Sequence, residues 1–179
     1  MRNAIFLVTG PSAAGKSTVG RLLPARFARG VFLEGDAFRR AIVTGRHELT
    51  PDPTPEALAQ LRLRYRVAAA AAAADAYCEE GYTVVLEDVV AGPLLADMIE
   101  LVRSRPLHVV VLMPSPATIV VREAARETAG YTHFSVEQLH RAFTEDTPRL
   151  GTWIDSSEQT PEQTVDEILD RTEDARSPT

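Results

Sequence analysis

Short apolar runs alternate with longer segments of helical periodicity along most of the 179-residue chain. Continuous runs such as 84–86 and 109–113 lack alternating polar positions, which is typical of parallel strands buried on both faces. The pattern predicts five strands, at residues 4–9, 31–34, 82–87, 107–113 and 150–154. It predicts helices at residues 15–28, 36–43, 55–80, 92–104, 115–128, 135–145 and 161–171. This alternation favours a doubly wound α/β fold with a five-stranded parallel sheet.

The longest predicted helix, at residues 55–80, has a clear beginning. Thr54 is a preferred N-cap residue, Pro55 suits the first helical position, and Glu56 complements the positive end of the helix. The helix includes an unbroken alanine run at residues 68–74, which has high intrinsic helix propensity. No linker or repeat divides the chain, so we expect one domain at residues 1–171 and a polar tail at residues 172–179.

A phosphate-binding pattern lies between the first predicted strand and the first predicted helix. The sequence Gly-Pro-Ser-Ala-Ala-Gly-Lys-Ser matches GxxxxGK(S/T) in full. The glycines let backbone amides face the phosphates, the only lysine of the chain supplies an ammonium, and a serine hydroxyl suits Mg²⁺. A glycine-rich turn that binds nothing is the alternative, and the strand–loop–helix order disfavours it. The expected nucleotide site comprises Gly10, Pro11, Ser12, Ala13, Ala14, Gly15, Lys16, Ser17 and Thr18.

Composition narrows the classes of partner and compartment. The formal net charge of −6 argues against a surface for duplex nucleic acid, although a local basic groove is compatible with it. Cys78 is the only cysteine, so a reducing compartment fits best. No apolar stretch is long enough to cross a membrane, and none has the form of a signal peptide. We therefore expect a cytoplasmic protein; the sequence neither predicts nor excludes a homodimer.

Acidic residues follow the second and third predicted strands, at the sheet edge where doubly wound folds bind ligands. Asp36 is placed to accept the proton of an attacking hydroxyl, or alternatively only to cap the helix after it. Glu87 and Asp88 follow an apolar strand in the form of a Walker-B site for Mg²⁺ or its water. Strand alternation favours one of these two for the metal, and the sequence leaves open which. A purely structural pair is the alternative.

Arginines supply the remaining candidate contacts. Arg122 and Arg126 lie four residues apart on one predicted helix face, which suits stacking on adenine and binding of phosphate. A solvated face of salt bridges is the alternative, because glutamates repeat the same spacing. The residues after this helix predict a closing lid. The arginines expected to reach an acceptor are Arg39, Arg40, Arg62 and Arg66.

Five segments, taken in order, resemble the small P-loop kinases: residues 10–18, 34–36, 84–88, 122–126 and 153–162. Within these, the chain is most similar to the chloramphenicol phosphotransferase-like group, and more distantly to gluconate, shikimate and adenylylsulfate kinases. The resemblance covers residues 3–171. It implies a nucleoside-monophosphate-kinase-like P-loop fold with a small lid at about residues 127–135. It also implies that Asp36 is the base, that Arg122 and Arg126 hold ATP, and that the adenine is bordered by Gln159, Thr160 and Pro161.

These expectations define a phosphotransferase that uses ATP and Mg²⁺ to phosphorylate a hydroxyl group of a small molecule. Lys16, Asp36 and Arg126 are the expected catalytic residues, and Ser17 is expected to hold Mg²⁺ with Glu87 or Asp88. The acceptor is expected to contact Asp36, Asp88 and the four arginines named above. Two alternatives stay open: a nucleoside or nucleotide kinase, and a regulatory module that binds ATP without an acceptor. The sequence leaves open the acceptor and the choice of ATP over GTP.

Overall fold

The fold is built on a parallel sheet formed by the continuous apolar runs. The structure is a computed structural model that describes residues 3–69, 73–125 and 133–174. Its strands are β1 (Ile5–Thr9), β2 (Gly30–Glu34), β3 (Thr83–Glu87), β4 (Leu107–Leu112) and β5 (Thr152–Ile154). All neighbouring strands are parallel, in the order β2-β3-β1-β4-β5. The predicted α/β class and five-stranded parallel sheet are confirmed.

Helices occupy the segments between the strands. They are α1 (Lys16–Leu22), α2 (Gly35–Arg40), α3 (Pro55–Ala69), α4 (Ala74–Glu79), α5 (Leu94–Leu101), α6 (Pro116–Ala124), α7 (Val136–Arg141) and α8 (Pro161–Asp174). A 3₁₀ turn at Pro24–Arg26 follows α1, and a π-helical turn at Ala142–Asp146 follows α7. Thr54 caps α3 as predicted, because its Oγ1 accepts a hydrogen bond from the backbone N–H of Ala57 at 3.2 Å.

The prediction of one continuous helix at residues 55–80 is wrong. The structure has two helices there, and Ala73 between them has non-helical angles of φ −129° and ψ −74°. In α4 the buried carboxylate of Asp75 accepts hydrogen bonds from the backbone N–H groups of Arg103 and Ser104. These bonds tie α4 to the chain segment before β4. We infer that this tertiary contact outweighs the helix propensity of the alanine run.

The last helix extends beyond its predicted end. α8 continues through Asp174, three residues into the segment predicted as a polar tail. Thr172 is buried there, and its Oγ1 donates a hydrogen bond to the carbonyl of Ile168 at 2.7 Å. Thr172 therefore belongs to the packed part of α8 rather than to a polar tail. Residues 175–179 lie outside the described part of the chain.

Alternate residues of the central strands are buried in two separate cores. One face of the sheet packs against α3, α4 and α5, and its buried residues include Ile5, Leu7, Leu61, Tyr65, Ala74, Val84, Leu86, Leu95, Met98, Val109 and Val111. The other face packs against α1 and α8, and its buried residues include Phe6, Val8, Val19, Leu23, Val85, Val110, Leu112, Val165 and Ile168. Burial on both faces explains why the strand sequences do not alternate.

The carboxyl ends of β1, β2 and β3 meet at one edge of the sheet. Val8 lies opposite Glu87, and Glu34 lies opposite the same residue on the other side. β1 has β3 on one side and β4 on the other, so the loop after β1 lies where the strand order changes direction. Among the helices of the described residues, none is long and apolar enough to cross a membrane.

Candidate active site

A cavity of about 1130 Å³ lies at this edge of the sheet. One part, here called the P-loop side, is lined by residues 12–19 with Arg122, Gln159, Pro161 and Thr164. The other part, here called the Asp36 side, is lined by Glu34, Asp36, Arg39, Arg40, Glu48, Leu49, Arg64, Asp88, Val89 and His133. Glu87, Phe134 and Leu139 also line the cavity. The cavity therefore joins the phosphate-binding motif to the acidic residues that follow β2 and β3.

The loop after β1 depends on backbone conformations that favour glycine. Gly10 has φ +145°, and a Cβ there would lie 2.2 Å from the carbonyl oxygen of Leu112. Gly15 has φ +95° and immediately precedes α1. Ala13 also has a positive φ, 58°, a conformation that costs a non-glycine residue roughly 1–3 kcal/mol. Such strain is concentrated at functional sites in proteins, and it fits a loop shaped to hold phosphate.

The ammonium of Lys16 is buried within this loop. Its Nζ donates a hydrogen bond to the carbonyl of Pro11 at 2.8 Å and lies 3.8 Å from Oε1 of Glu87. Oγ of Ser17 donates to Oε2 of the same carboxylate at 3.3 Å. Burial raises the pKa of Glu87, while the positive charge of Lys16 opposes the rise. Among the two acids after β3, Glu87 is therefore the one beside the P-loop, where its carboxylate and the Ser17 hydroxyl are ligands that suit Mg²⁺.

Asp88 points to the other side of the cavity and contacts Arg64 instead. Its Oδ1 accepts hydrogen bonds from Nη2 of Arg64 at 2.8 Å and from the backbone N–H of Val89 at 2.7 Å. Oδ2 is buried without a hydrogen-bond partner among the described residues, as is Nε of Arg64. Burial raises the pKa of Asp88 to about 7, although the guanidinium of Arg64 limits the rise.

Asp36 is a partly exposed carboxylate held between two arginines. Its Oδ2 accepts a hydrogen bond from Nη1 of Arg40 at 3.0 Å, and its Oδ1 lies 3.5 Å from Nη1 of Arg64. The alternative that Asp36 serves only as a helix cap is wrong. α2 begins at Gly35, its N-cap residue is Glu34, and no side chain caps it. The Asp36 carboxylate instead lines the cavity.

Gly35 allows this cluster to form. A Cβ at this position would lie 2.1 Å from Oδ2 of Asp88. Real Cβ atoms do not approach other atoms so closely, so only glycine lets the start of α2 pack against the buried carboxylate. The sequence marks Gly35 only by its place between two acids.

The structure corrects the expected set of acceptor arginines. Arg62 and Arg66 are exposed and do not line the cavity, whereas Arg64 does. The reason is helical geometry: Leu61 and Tyr65 form the buried face of α3, and Arg64 borders that face. This periodicity was the available signal for Arg64. The other two expected arginines do line the cavity, where Arg39 pairs with Glu48 and Arg40 pairs with Glu34 and Asp36.

Arg122 joins the P-loop to the segment after β5. Its Nη1 donates to the carbonyl of Ala14 at 3.3 Å and its Nη2 to the carbonyl of Ser156 at 2.7 Å. The guanidinium thus lies against the back of the loop and at the wall of the cavity. This position differs from that of the solvated salt bridge considered as an alternative. Arg126 and most of the predicted lid lie outside the described residues.

The residues expected to border adenine differ in what they contact. Gln159 and Pro161 line the P-loop side of the cavity. Thr160 does not line it; its Oγ1 accepts a hydrogen bond from the backbone N–H of Gln163 at 3.2 Å, at the start of α8. Thr164, which was not expected, lines the cavity and donates to Oε1 of Gln159 at 3.0 Å.

Comparisons with known proteins identify the family and the fold of this chain. A protein-family model described as an AAA domain matches residues 5–145. No curated protein sequence matches the chain significantly.

Solved structures with the same fold include several small-molecule enzymes and one resistance protein. A sugar kinase from a Janibacter species aligns with a TM-score of 0.70 and 19% identity, over 96% of this chain and 95% of that chain. The tunicamycin resistance protein of Deinococcus radiodurans aligns with a TM-score of 0.66 and 16% identity, over 96% of each chain. A gluconokinase from Sinorhizobium meliloti aligns with a TM-score of 0.59 and 20% identity, over 94% of this chain and 90% of that chain.

At these identities the likeness shows the fold, and it confirms the resemblance to the small P-loop kinases. The family model spans most of the chain, including the P-loop, Asp36, Arg64 and the two acids after β3. This chain therefore belongs to the AAA-domain family of P-loop proteins, with the fold of small-molecule kinases.

Proposed function

We propose that this protein is a phosphotransferase that moves the γ-phosphoryl group of ATP to a hydroxyl group of a small molecule. The observation that supports this most is a single cavity lined both by a P-loop lysine, Lys16, and by a carboxylate between two arginines, Asp36. A site that only binds nucleotide does not require the Asp36 carboxylate. The proposal places the reaction in the cytoplasm, where ATP is available and a lone thiol stays reduced.

The P-loop side would hold the nucleotide. Backbone amides of residues 12–17 and the ammonium of Lys16 would bind the phosphates, and Arg122 and Gln159 would border the base. Ser17 and Glu87 would hold Mg²⁺, which when bound neutralises charge on the phosphate oxygens. The proposal also keeps Arg126 as a phosphate contact, since it follows Arg122 by four residues.

The Asp36 side would hold and orient the acceptor. The acceptor oxygen forms a bond to the γ-phosphorus while the bond from that phosphorus to the β–γ bridging oxygen breaks, and ADP leaves. The hydroxyl proton passes to the carboxylate of Asp36. Arg64 is a positioning residue here, because it contacts both Asp36 and Asp88 and fixes the carboxylate that receives the proton.

A screen of hydroxyl compounds that measures ADP release tests the proposal. We expect ADP formation that depends on Mg²⁺ and on one class of acceptor, with a phosphorylated product detected by mass spectrometry. The panel includes nucleosides and nucleoside monophosphates, so that a nucleoside or nucleotide kinase is recognised by its own product. Tight ATP binding without transfer to any compound would contradict the proposal and favour a regulatory module.

A further inference from the structure

The Asp36 side of the cavity adjoins a smaller side pocket of about 40 Å³. Arg39, Leu49 and Arg64 line both spaces. A single water needs roughly 10–15 Å³ of such space, so the side pocket has room for a small branched group. The side pocket and the Asp36 side of the cavity are therefore neighbouring spaces with shared walls.

Much of the wall of this side pocket is apolar. Ile42, Leu49, Ala57 and Leu61 line it. Ala57 and Leu61 are buried and lie four residues apart on one face of α3. Covering such a surface favours an alkyl group, because removing apolar area from water is the main source of free energy here.

The side-chain amide of Gln60, which also lines the side pocket, is already hydrogen-bonded within the protein. Oε1 of Gln60 accepts a hydrogen bond from the backbone N–H of His47 at 2.9 Å, and Nε2 donates to the carbonyl of Gly45. These bonds hold the loop after α2 against α3. The Gln60 side chain therefore shapes the pocket and is satisfied without a ligand.

Each arginine that lines the Asp36 side is paired with a carboxylate. The pairs are Arg39–Glu48, Arg40–Glu34, Arg40–Asp36, Arg64–Asp36 and Arg64–Asp88. Four acids thus face three arginines among the described residues of this wall. A carboxylate, phosphate or sulfate on the acceptor would compete with these acids for the guanidinium groups and would meet their repulsion.

We propose, building on the phosphotransferase function, that the acceptor is an alcohol without an anionic group. It places a small branched apolar group in the side pocket while its hydroxyl faces Asp36. The apolar wall selects for the alkyl group, and the paired arginines select against a negative charge.

Four related alcohols separate these two requirements. The probes are α-hydroxyisocaproate, the diol obtained by reducing its carboxylate to a hydroxymethyl group, and the matching pair without the isopropyl group, which are lactate and propylene glycol. Two readouts are used: ADP release with Mg²⁺-ATP, and saturation-transfer NMR for binding in the presence of a non-hydrolysable ATP analogue. The branched diol is expected to exceed each of the other three by at least about tenfold in kcat/KM or in affinity.

Two substitutions are designed to fill the side pocket, and a third removes the charge that pairs with the Arg39 guanidinium. Ala57→Leu, or Ile42→Phe at a more exposed position, is expected to remove most of the preference for the isopropyl group. Glu48→Gln unpairs Arg39 and is expected to raise the relative use of α-hydroxyisocaproate by about threefold or more. Asp166→Asn is the matched control, since it removes an exposed ion pair with Arg26 that does not line either space. This variant should leave the kcat/KM value or the affinity for each of the four probes unchanged.

The outcomes distinguish this inference from the function on which it builds. Binding that prefers the branched diol, with no transfer to any probe, would keep the side-pocket inference and count against the phosphotransferase. Transfer that prefers lactate or α-hydroxyisocaproate would overturn the inference and keep the phosphotransferase. The inference is also overturned if none of the four probes binds, or if both pocket-filling variants keep the full preference for the isopropyl group.

Discussion

The P-loop side and the Asp36 side of the cavity are assembled in different ways. On the P-loop side, Lys16 bonds to Pro11 only five residues away, within one continuous loop. On the Asp36 side, Arg64 reaches Asp88 across 24 residues and joins two different connections of the sheet. The phosphate-binding loop of the first side is a local sequence motif, whereas the ion pairs of the second side exist only once α2, α3 and β3 are packed. Substitutions should therefore act mainly on chemistry on the first side, and on both chemistry and stability on the second.

The largest effect is expected from Lys16→Ala on the P-loop side. Removal of the buried ammonium takes away a charge that would stabilise the transferring phosphoryl group, so kcat should fall by about 10³-fold. The measurement is ADP release with the best acceptor of the screen, with circular dichroism to check the fold. Arg26→Ala on the outer surface is the control and should change kcat by less than about twofold. More than a tenth of wild-type activity in Lys16→Ala would remove the ammonium from the mechanism.

The second prediction concerns stability on the Asp36 side. Arg64→Ala leaves the buried carboxylate of Asp88 without its cationic partner, which should cost about 3–5 kcal/mol of unfolding free energy above neutral pH. Arg62→Ala, on the exposed face of the same helix, should stay within about 0.5 kcal/mol of the wild type. Urea unfolding followed by circular dichroism gives both values. Equal losses in the two variants would contradict the assignment of Arg64.

The third prediction separates catalysis from nucleotide binding. Asp36→Asn keeps the shape of the side chain but cannot accept the hydroxyl proton, so kcat should fall by about 10²-fold. The dissociation constant for ATP, measured by calorimetry, should change little, because the Asp36 carboxylate contacts Arg40 and Arg64 rather than a P-loop residue. Asp97→Asn, an exposed acid in the first turn of α5, is the control. Near-normal turnover in Asp36→Asn would exclude this carboxylate as the base.

The fourth prediction tests the close approach at Gly35. A Cβ at this position meets Oδ2 of Asp88, so Gly35→Ala should lower the unfolding free energy by about 2–3 kcal/mol. Gly45→Ala is the control: it has open space but a φ of +71°, and it should cost only about 1 kcal/mol. Thermal unfolding of both variants measures the difference. A smaller loss at Gly35 than at Gly45 would show that Asp88 moves aside at little cost.

The smallest effect, taken per pH unit, is expected in the pH dependence of stability. The pKa of Asp88 rises from 3.8 to about 7 in the folded protein, chiefly through burial. Between these values the folded state holds a proton that the unfolded state has released, so stability should decrease as pH rises from about 4 to 7. This group alone can contribute a slope of up to about 1.4 kcal/mol per pH unit. Urea unfolding across this range should show a shallower slope for Asp88→Asn, and an unchanged slope would contradict the raised pKa.

Local signals predicted the conformation of one part of the site. The P-loop residues, the acid that ends β3 and the apolar strands are all defined by neighbours in sequence. Their conformations depend on glycine at positive φ, on apolar runs and on strand alternation, which short segments carry by themselves. Strand alternation also predicts that Glu87 and Asp88 point in different directions, and only the structure shows that Glu87 is the one beside the P-loop.

Other features escaped prediction because they depend on distant contacts. Arg62, Arg64 and Arg66 are chemically alike, and only the packing of Leu61 and Tyr65 selects the middle one for the cavity. The alanine run favours helix throughout, yet α3 and α4 are separate helices, with Asp75 of α4 bonded to the loop before β4. Helix propensity is a weak local term that tertiary hydrogen bonds readily outweigh.

The sequence by itself determined the parallel α/β sheet, the P-loop between β1 and α1, and the presence of acids at the strand ends. Tertiary structure alone decided which arginine binds those acids, which acid faces Ser17, and that a side pocket lies beside Asp36. The physical reason is the range of the interactions. Hydrophobic periodicity and backbone conformation are properties of a few successive residues, whereas a buried ion pair forms only where separate elements of the fold bring opposite charges together.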